Sequence, residues 1–480
     1  MRIFKLSAVV AALSAALLLG GVASGSASAD SAPPPVGGYP PGTRPAMPAE
    51  PGTPSDPKVI AIMKAQKPLD DAAGRVRRLA KDTATNGLGA VTINSSDNSI
   101  TVSWRGAIPA DVRAELAADR RHGITVNTTA AAYTGTQLYA EMARLAKAVM
   151  PEGTATTAVD SIAVNAAGNG LVIGVRPAEA AALAPHRALT AADVPGLSSS
   201  MPLTVIPQEP MKTADGSVYP SRQSGYAFTG AGQGLHTQWA DGSWHGCTTG
   251  FAVQSPDQTK SYIETAAHCG WGNFDTWSSA TSDYGTLIGR TASISYSNDV
   301  QIIPANSLQY EWDGTSMTDT LGASWNNPPG GQFYKYVTGW HTNNGGDTLC
   351  VSGAFSGAQC FARIEGSWMV TKQVLDADGQ KRDAQLWDSY STSGADLAGE
   401  GDSGGPVFSS DPIDGWNSVD AAGLVSGYDS STGNTNCQGV PSTFTLYGWT
   451  GSRKCSPSLY FSDNDQAMGA LQVALKYNNP

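Results

Sequence analysis

Apolar positions follow two rhythms along this chain. From Lys58 to about Val205, helical and strand spacings take turns. Val59 to Lys81 is a basic helical stretch interrupted by Pro68, whose missing N–H breaks the helical ladder. Ala90–Ile93 and Ile100–Trp104 alternate like strands around the turn-forming run Asn94-Ser95-Ser96-Asp97-Asn98. Pro109 then stands where a helix begins, with Val112 and Leu116 on one face. Ile124–Val126 reads as a strand. Leu138, Met142, Leu145 and Val149 mark a second helix, stopped by Pro151. Ser161–Val164 and Leu171–Val175 flank Ala167-Gly168-Asn169-Gly170 as a hairpin. The order β-β-α-β-α-β-β predicts a small α+β unit.

After Tyr226 the helical spacing disappears. Short runs rich in Val, Ile, Thr, Trp and Tyr are separated by Gly/Asn/Asp/Ser turns: Gly250–Val253, Ser261–Thr265, Asp299–Ile303, Lys335–Thr338, Trp368–Val374, Ala421–Ser426 and Phe444–Leu446. Many short strands at this spacing predict a sandwich or barrel. One helix closes the chain, capped by Ser462 with Asp465 and faced by Met468, Leu471 and Leu475.

The remaining stretches carry no core pattern. Residues 1–29 read as an export signal, with Arg2 and Lys5, an apolar run from Leu6 to Val22, and Ala27-Ser28-Ala29 as a cleavage site. Residues 30–57 form a Pro-rich extended arm. Pro177 to about Gly225 is Ala-, Pro- and Ser-rich and reads as a linker with one short helix at Ala178–Leu183. The boundaries are drawn at 58–205 for the α+β unit, 206–225 for the linker and 226–480 for the β-rich unit. No later stretch is apolar enough to anchor the chain in a bilayer.

A length of 480 residues suits two or three units, and 54 glycines favour a turn-rich β protein. The net charge is −11, and the acidity is concentrated after Pro207, where 12 Lys+Arg stand against 26 Asp+Glu. That balance argues against a nucleic-acid partner. All six cysteines (Cys247, Cys269, Cys350, Cys360, Cys437, Cys455) lie in the second half. An even count in an exported chain implies disulfides, and six cysteines allow fifteen pairings. Nearest-neighbour pairing would join 247–269, 350–360 and 437–455. No C-x-x-C or H-x-x-x-H spacing calls for zinc, so neither metal nor cofactor is expected.

Candidate chemistry gathers on separated motifs. In Gly401-Asp402-Ser403-Gly404-Gly405-Pro406 the glycines let the backbone turn tightly and aim N–H groups at whatever the hydroxyl attacks. Serine alone is a weak nucleophile and needs a base and a group that orients the base. Thr265-Ala266-Ala267-His268-Cys269 offers the first, and Ser297-Asn298-Asp299-Val300 the second. Singly, a histidine beside a cysteine or an aspartate after asparagine is usually structural. Jointly, in the order His, Asp, Ser, they form a nucleophilic triad.

With Gly246-Cys247, these motifs make residues 246–480 resemble the trypsin/chymotrypsin-like serine proteases, particularly exported bacterial enzymes made with an N-terminal pro-region. The resemblance implies two six-stranded antiparallel β-barrels with a C-terminal helix, preceded by a smaller α+β pro-domain. It implies His268, Asp299 and Ser403 as catalytic residues, the N–H groups of Gly401 and Ser403 as an oxyanion hole, and a Cys247–Cys269 disulfide. Leu397 stands six residues before the serine, where trypsin carries its specificity aspartate, with Asp396 one step earlier. Ser426, Gly427 and Tyr428 resemble the strand that pairs with substrate backbone, with Tyr428 at the mouth of an apolar or mixed pocket. No Ile-Val-Gly-Gly-like start follows a basic cleavage site, so Asp402 is expected to pair with an internal arginine, with Arg363 as candidate. Val102-Ser103-Trp104-Arg105-Gly106 also resembles pro-regions that assist folding.

The reading is a secreted endopeptidase, monomeric when mature. Its partners are a protein or peptide substrate and its own pro-region, as folding helper and inhibitor. The rival is an exported binding or structural protein on an inactive protease-like fold. Such proteins lose a triad member, and none is lost here. His122, His186, His236, His245 and His341 have no comparable context and read as surface or structural.

Overall fold

The computed structural model describes residues 57–81, 86–151, 158–165, 168–185, 187–213, 228–239, 242, 244–276, 287–313, 333–411, 418–446 and 449–477. The expected export signal, nearly all of the Pro-rich arm and His186 lie outside these. The chain is mainly β, with five α-helices among the described residues.

The first region opens with α1 (Pro57–Lys81), which runs through Pro68. Its Leu69, Ala72, Val76 and Ala80 are buried against the sheet that follows, and this burial outweighs the hydrogen bond that proline forfeits. That sheet comprises β1 (Leu88–Asn94), β2 (Ser99–Trp104) and β3 (Thr125–Ala130), with β1 antiparallel and β3 parallel to β2. α2 (Ala110–Arg121) buries Val112 and Leu116 on it. α3 (Gly135–Val149) starts with a capping box between Thr134 and Gln137. It covers a second sheet: the hairpin β4 (Val159–Val164) and β5 (Leu171–Val175), then α4 (Pro177–Leu183), then β6 (Leu203–Pro207) parallel to β5. The stretch read as a linker therefore carries strand β6 at its start and β7 (Met211–Thr213) inside it.

The second region supplies β8 (Phe228–Ala231), β9 (Gly234–Gln238), β10 (Trp244–Thr248), β11 (Ala252–Gln254), β12 (Ser261–Ala266), β13 (Asn273–Thr276), β14 (Leu287–Arg290), β15 (Ser293–Ser295), β16 (Val300–Pro304) and β17 (Asn306–Asp313). Next come β18 (Phe333–Trp340), β19 (Thr348–Gly353), β20 (Gly357–Ile364), β21 (Val370–Leu375), β22 (Lys381–Ser391), β23 (Ala398–Gly399), β24 (Pro406–Asp411) and β25 (Ser418–Asp429). β26 (Thr443–Leu446), β27 (Trp449–Ser452), β28 (Cys455–Ser456), β29 (Ser458–Asp463), α5 (Asn464–Leu471) and β30 (Ala474–Leu475) end the chain.

Six of these strands close a ring in the order β19, β20, β22, β29, β25, β24 and back to β19, every pair antiparallel. Closure leaves no unpaired edge, and the interior is filled by Leu349, Val351, Val407, Val425 and Phe461. The strands ahead of the ring form a four-stranded sheet (β10, β9, β13, β14) and, joined by β30 from the end of the chain, a five-stranded one (β15, β16, β12, β11, β30). Residues 277–286 and 314–332, in that same half, lie outside the description. α5 is capped by Asp463, one residue later than expected, because Asp463 rather than Ser462 accepts from the Gln466 N–H. Gln472 turns left-handed at φ 55°, so Leu475 sits on β30 rather than on the helix.

The two regions share one sheet. β4 pairs antiparallel with β21, extending the ring's outer strands with the hairpin of the first region. Trp368 packs edge-on against Tyr139 of α3, with ring centroids 5.0 Å apart.

Candidate active site

Ser403 lies in the turn between β23 and β24. Gly401 has φ 101° and Gly404 φ 83°. A side chain at Gly401 would overlap the Phe355 ring, and one at Gly404 would overlap Thr265 and the Thr248 carbonyl. These glycines are therefore fixed by both backbone and space. The turn is fastened on two sides. Gly404 N–H donates to Val425 O (2.7 Å) and Val425 N–H to Gly405 O (2.9 Å). Thr248 N–H donates to Ser403 O (2.8 Å) and Thr248 Oγ1 to Gly401 O (2.8 Å).

His268 sits in a single 3₁₀ turn, Ala267–Cys269, straight after β12. The Gln301 side-chain amide ties that turn by donating to Ala266 O (2.8 Å) and Gly270 O (2.7 Å). The Cys247–Cys269 disulfide holds it to β10. Asp299 follows the turn Tyr296–Asn298 with a left-handed φ of 50°, which swings its carboxylate under the imidazole. Asp299 Oδ1 accepts from the His268 backbone N–H at 3.0 Å, and Oδ2 lies 2.7 Å from His268 Nδ1. On the far side of the ring, Nε2 is 2.7 Å from Ser403 Oγ. With a proton on Nδ1 facing the carboxylate, Nε2 accepts from the hydroxyl. All three residues are at most 2% exposed, so little water competes for these bonds.

Asp402 faces away from the imidazole into a fully buried cage. Its Oδ1 accepts from Phe355 N–H (3.0 Å) and Ser356 N–H (3.1 Å). Its Oδ2 accepts from Gly399 N–H (2.8 Å), Ser356 Oγ and Arg453 Nη2 (2.7 Å). The cation is thus Arg453, not Arg363. Arg363 lies on β20 opposite Thr348 and Tyr390, whereas the β23–β28 pairing and the Cys437–Cys455 bond bring Arg453 beneath the Ser403 turn. Nothing local in the sequence separates Arg453 from Arg363, because its partner Asp402 lies 51 residues away in the chain.

Among the described residues, no internal acceptor takes the Gly401 or Ser403 N–H. Ser426, Gly427 and Tyr428 lie on β25, and β7 pairs with this strand antiparallel: Thr213 opposite Gly427, Lys212 opposite Tyr428, Met211 opposite Asp429. Leu397, 1% exposed, packs inside the ring with Ala398 and Val425. Asp396 is also buried and accepts from Gln438 N–H (2.7 Å), and burial raises its carboxyl above the ordinary range.

The six cysteines form three disulfides: 247–269, 350–360 and 437–455. Of the other histidines, His236 is buried on β9, and burial lowers it to about 4. His245 stacks on Trp239 with centroids 3.5 Å apart. His341 belongs to a buried cluster the sequence did not reveal, with Nε2 2.9 Å from Asp347 Oδ2. Asp70 of α1 completes that cluster. Ligand-capable atoms of Asp70, His341 and Asp347 lie within 4.8 Å of one another. Arg77 donates to the adjoining Asn344 Oδ1 and already brings positive charge there.

No family model matches this chain, and no curated protein matches it. Solved structures similar to it include Thermobifida fusca Protease A, at 17% identity and TM-score 0.31, covering 52% of this chain and 100% of that one. Nocardiopsis protease is similar at 16% identity and TM-score 0.30, covering 52% and 99%. Cellulomonas bogoriensis chymotrypsin is similar at 18% identity and TM-score 0.30, covering 52% and 100%.

Proposed function

We propose that this chain is a secreted serine endopeptidase of the chymotrypsin type, made as a preproenzyme with residues 58–205 as a removable pro-region. The observation that carries the reading is the row Asp299–His268–Ser403, joined by two contacts of 2.7 Å beside two backbone N–H groups that no acceptor among the described residues takes. Ser403 Oγ attacks a peptide carbonyl carbon while His268 Nε2 takes its proton. Asp299 holds the imidazole in the required tautomer and stabilises its cation. The Gly401 and Ser403 N–H groups receive the oxyanion, each worth about 3–4 kcal/mol in comparable sites. His268 then protonates the leaving amine, and water, deprotonated by the same imidazole, hydrolyses the acyl-enzyme.

The first region acts as folding helper and inhibitor. β4 docked on β21 offers a template to a ring whose pairings join residues far apart in sequence, the slow step in such folds. β7, in the linker at 206–225 just after the first region, lies along β25 next to a Ser403 that is 0% exposed, in the lane a substrate strand would take, so it must leave together with that region before a substrate enters. The test is secretion of the wild type beside Ser403→Ala. The wild type should yield a processed product that hydrolyses protein, while the variant should retain Lys58–Val205 and hydrolyse nothing. Equal hydrolysis by both would reject the reading.

A further inference from the structure

We infer that Gln301 is a positioning residue for the proposed reaction, its side-chain amide holding the His268 turn in register with Asp299. This inference rests on the protease reading above. The turn Ala267–Cys269 has little to hold it from within. It is entered through Ala266-Ala267, whose methyl groups form no hydrogen bonds, and it leaves through Gly270 at φ 118°. Among the described residues, no backbone N–H donates to Gly270 O. Gln301 supplies that donor: its Nε2 reaches Gly270 O at 2.7 Å, Ala266 O at 2.8 Å and Ala267 O at 3.4 Å. One amide thus closes both ends of the turn that carries the imidazole.

Gln301 is placed for this by the strand that Asp299 leads into. β16 starts at Val300, and Gln301 faces Thr265 across the pairing with β12. Asp299 holds the ring and the backbone N–H of His268, while Gln301, two residues on, holds the carbonyls before and after it. The amide is itself held. Gln301 is 0% exposed, and its Oε1 accepts from Thr291 Oγ1 at 2.9 Å. Thr291 Oγ1 in turn accepts from Gly272 N–H at 3.2 Å, and Thr291 N–H donates to Gly272 O at 3.0 Å. A catalytic pair tolerates misplacement of only about 0.5 Å, so an unbraced turn loses rate at the step where Ser403 Oγ gives up its proton. Binding of substrate does not pass through Gln301, which is buried beneath the turn.

The test is steady-state kinetics of processed enzyme, with kcat expressed per titrated active site so that misfolded chain does not count. Gln301→Met keeps the length of the side chain and removes its donors; kcat should fall about 10- to 100-fold with KM nearly unchanged. Gln301→Asn keeps the amide but stops one methylene short, and should lose rate in the same direction. A residue that only stabilised the fold would lower Tm and leave kcat per site at the wild-type value. The second readout uses the Asp299→Asn background, where the imidazole already has the wrong tautomer. There Gln301→Met should cost less than about 3-fold more, because no productive alignment is left to lose. A kcat per site within about 2-fold of wild type in both variants, or an equal fold-loss with and without Asp299, would overturn the inference and leave the protease reading intact. No turnover by the wild type would overturn both.

Discussion

Around Ser403, buried carboxylates meet donors at every oxygen. Asp299 faces two nitrogens of His268, and Asp402 faces three backbone N–H groups, a hydroxyl and Arg453. Where α1 meets the loop between β18 and β19, the pattern differs. Asp70 and Asp347 are pressed together, Asp347 Oδ1 finds no hydrogen-bond donor among the described residues, and burial drives both acids upward, Asp347 to about 7. Asp388, on the ring strand nearest β4, is likewise pushed up to about 7 by burial and by Glu365. The first cluster is a set of satisfied hydrogen bonds, whereas the second presses two acids together in a contact that weakens as they ionise.

The sharpest break in the first cluster is Ser403→Ala, with an expected loss of about 10⁶-fold in kcat. Asp299→Asn should cost about 10⁴-fold by presenting the wrong tautomer, read from steady-state kinetics of processed enzyme. Next is Arg453→Ala, which strands Asp402 without its cation. Breaking a buried pair from one side costs about 3–5 kcal/mol, so chemical denaturation should show a loss of that order together with lost activity. Restoring neutrality with Asp402→Asn in the same chain should recover part of the stability and none of the full activity. A cost under about 1 kcal/mol for Arg453→Ala would erase the contrast between the clusters.

The second cluster is broken by pH. Facing Asp347 are Asp70 and Arg77 from α1 and His341 and Asn344 from its own loop, with Tyr139 and Asp463 beyond Arg77. Both carboxyls lie above their ordinary value in the docked state, so docking binds protons that separation releases. The stabilisation is complete below the ordinary carboxylate range and is lost as pH rises through about 7. Protection factors of α1 amides in the Ser403→Ala chain, that is exchange rates corrected for their intrinsic pH dependence, should fall between pH 5 and pH 8. Asp70→Asn, a permanent donor, should flatten that fall; protection flat with pH in the unmodified cluster would contradict the account. The smallest effect is expected from Glu264, buried on β12 and raised to about 8 by burial. Its contribution is present below about pH 4.5 and lost towards pH 8, so Glu264→Gln should raise Tm at alkaline pH more than at acid pH.

The same contrast divides what was legible in the sequence. The Ser403 turn, the His268 turn and Asp299 announce themselves through neighbours in the chain, since each needs its own glycines, cysteine or tight turn. The helices and strands of the first region follow equally local periodicity. Arg453, the Asp70–His341–Asp347 cluster and β7 do not. Each is defined by a partner between 51 and 277 residues away, or by an edge pairing that Ala/Pro/Ser composition hides. Pro68 shows the reverse, a strong local breaker overruled by burial of the helix around it.

The central claim is that His268 makes Ser403 a nucleophile. Its most direct test is reaction of the processed chain with a serine-directed phosphonylating reagent, followed by mass-spectrometric mapping. The account predicts one adduct, on Ser403, absent from Ser403→Ala and slowed strongly in Asp299→Asn. An unmodified Ser403, or modification equally fast without His268, would contradict it.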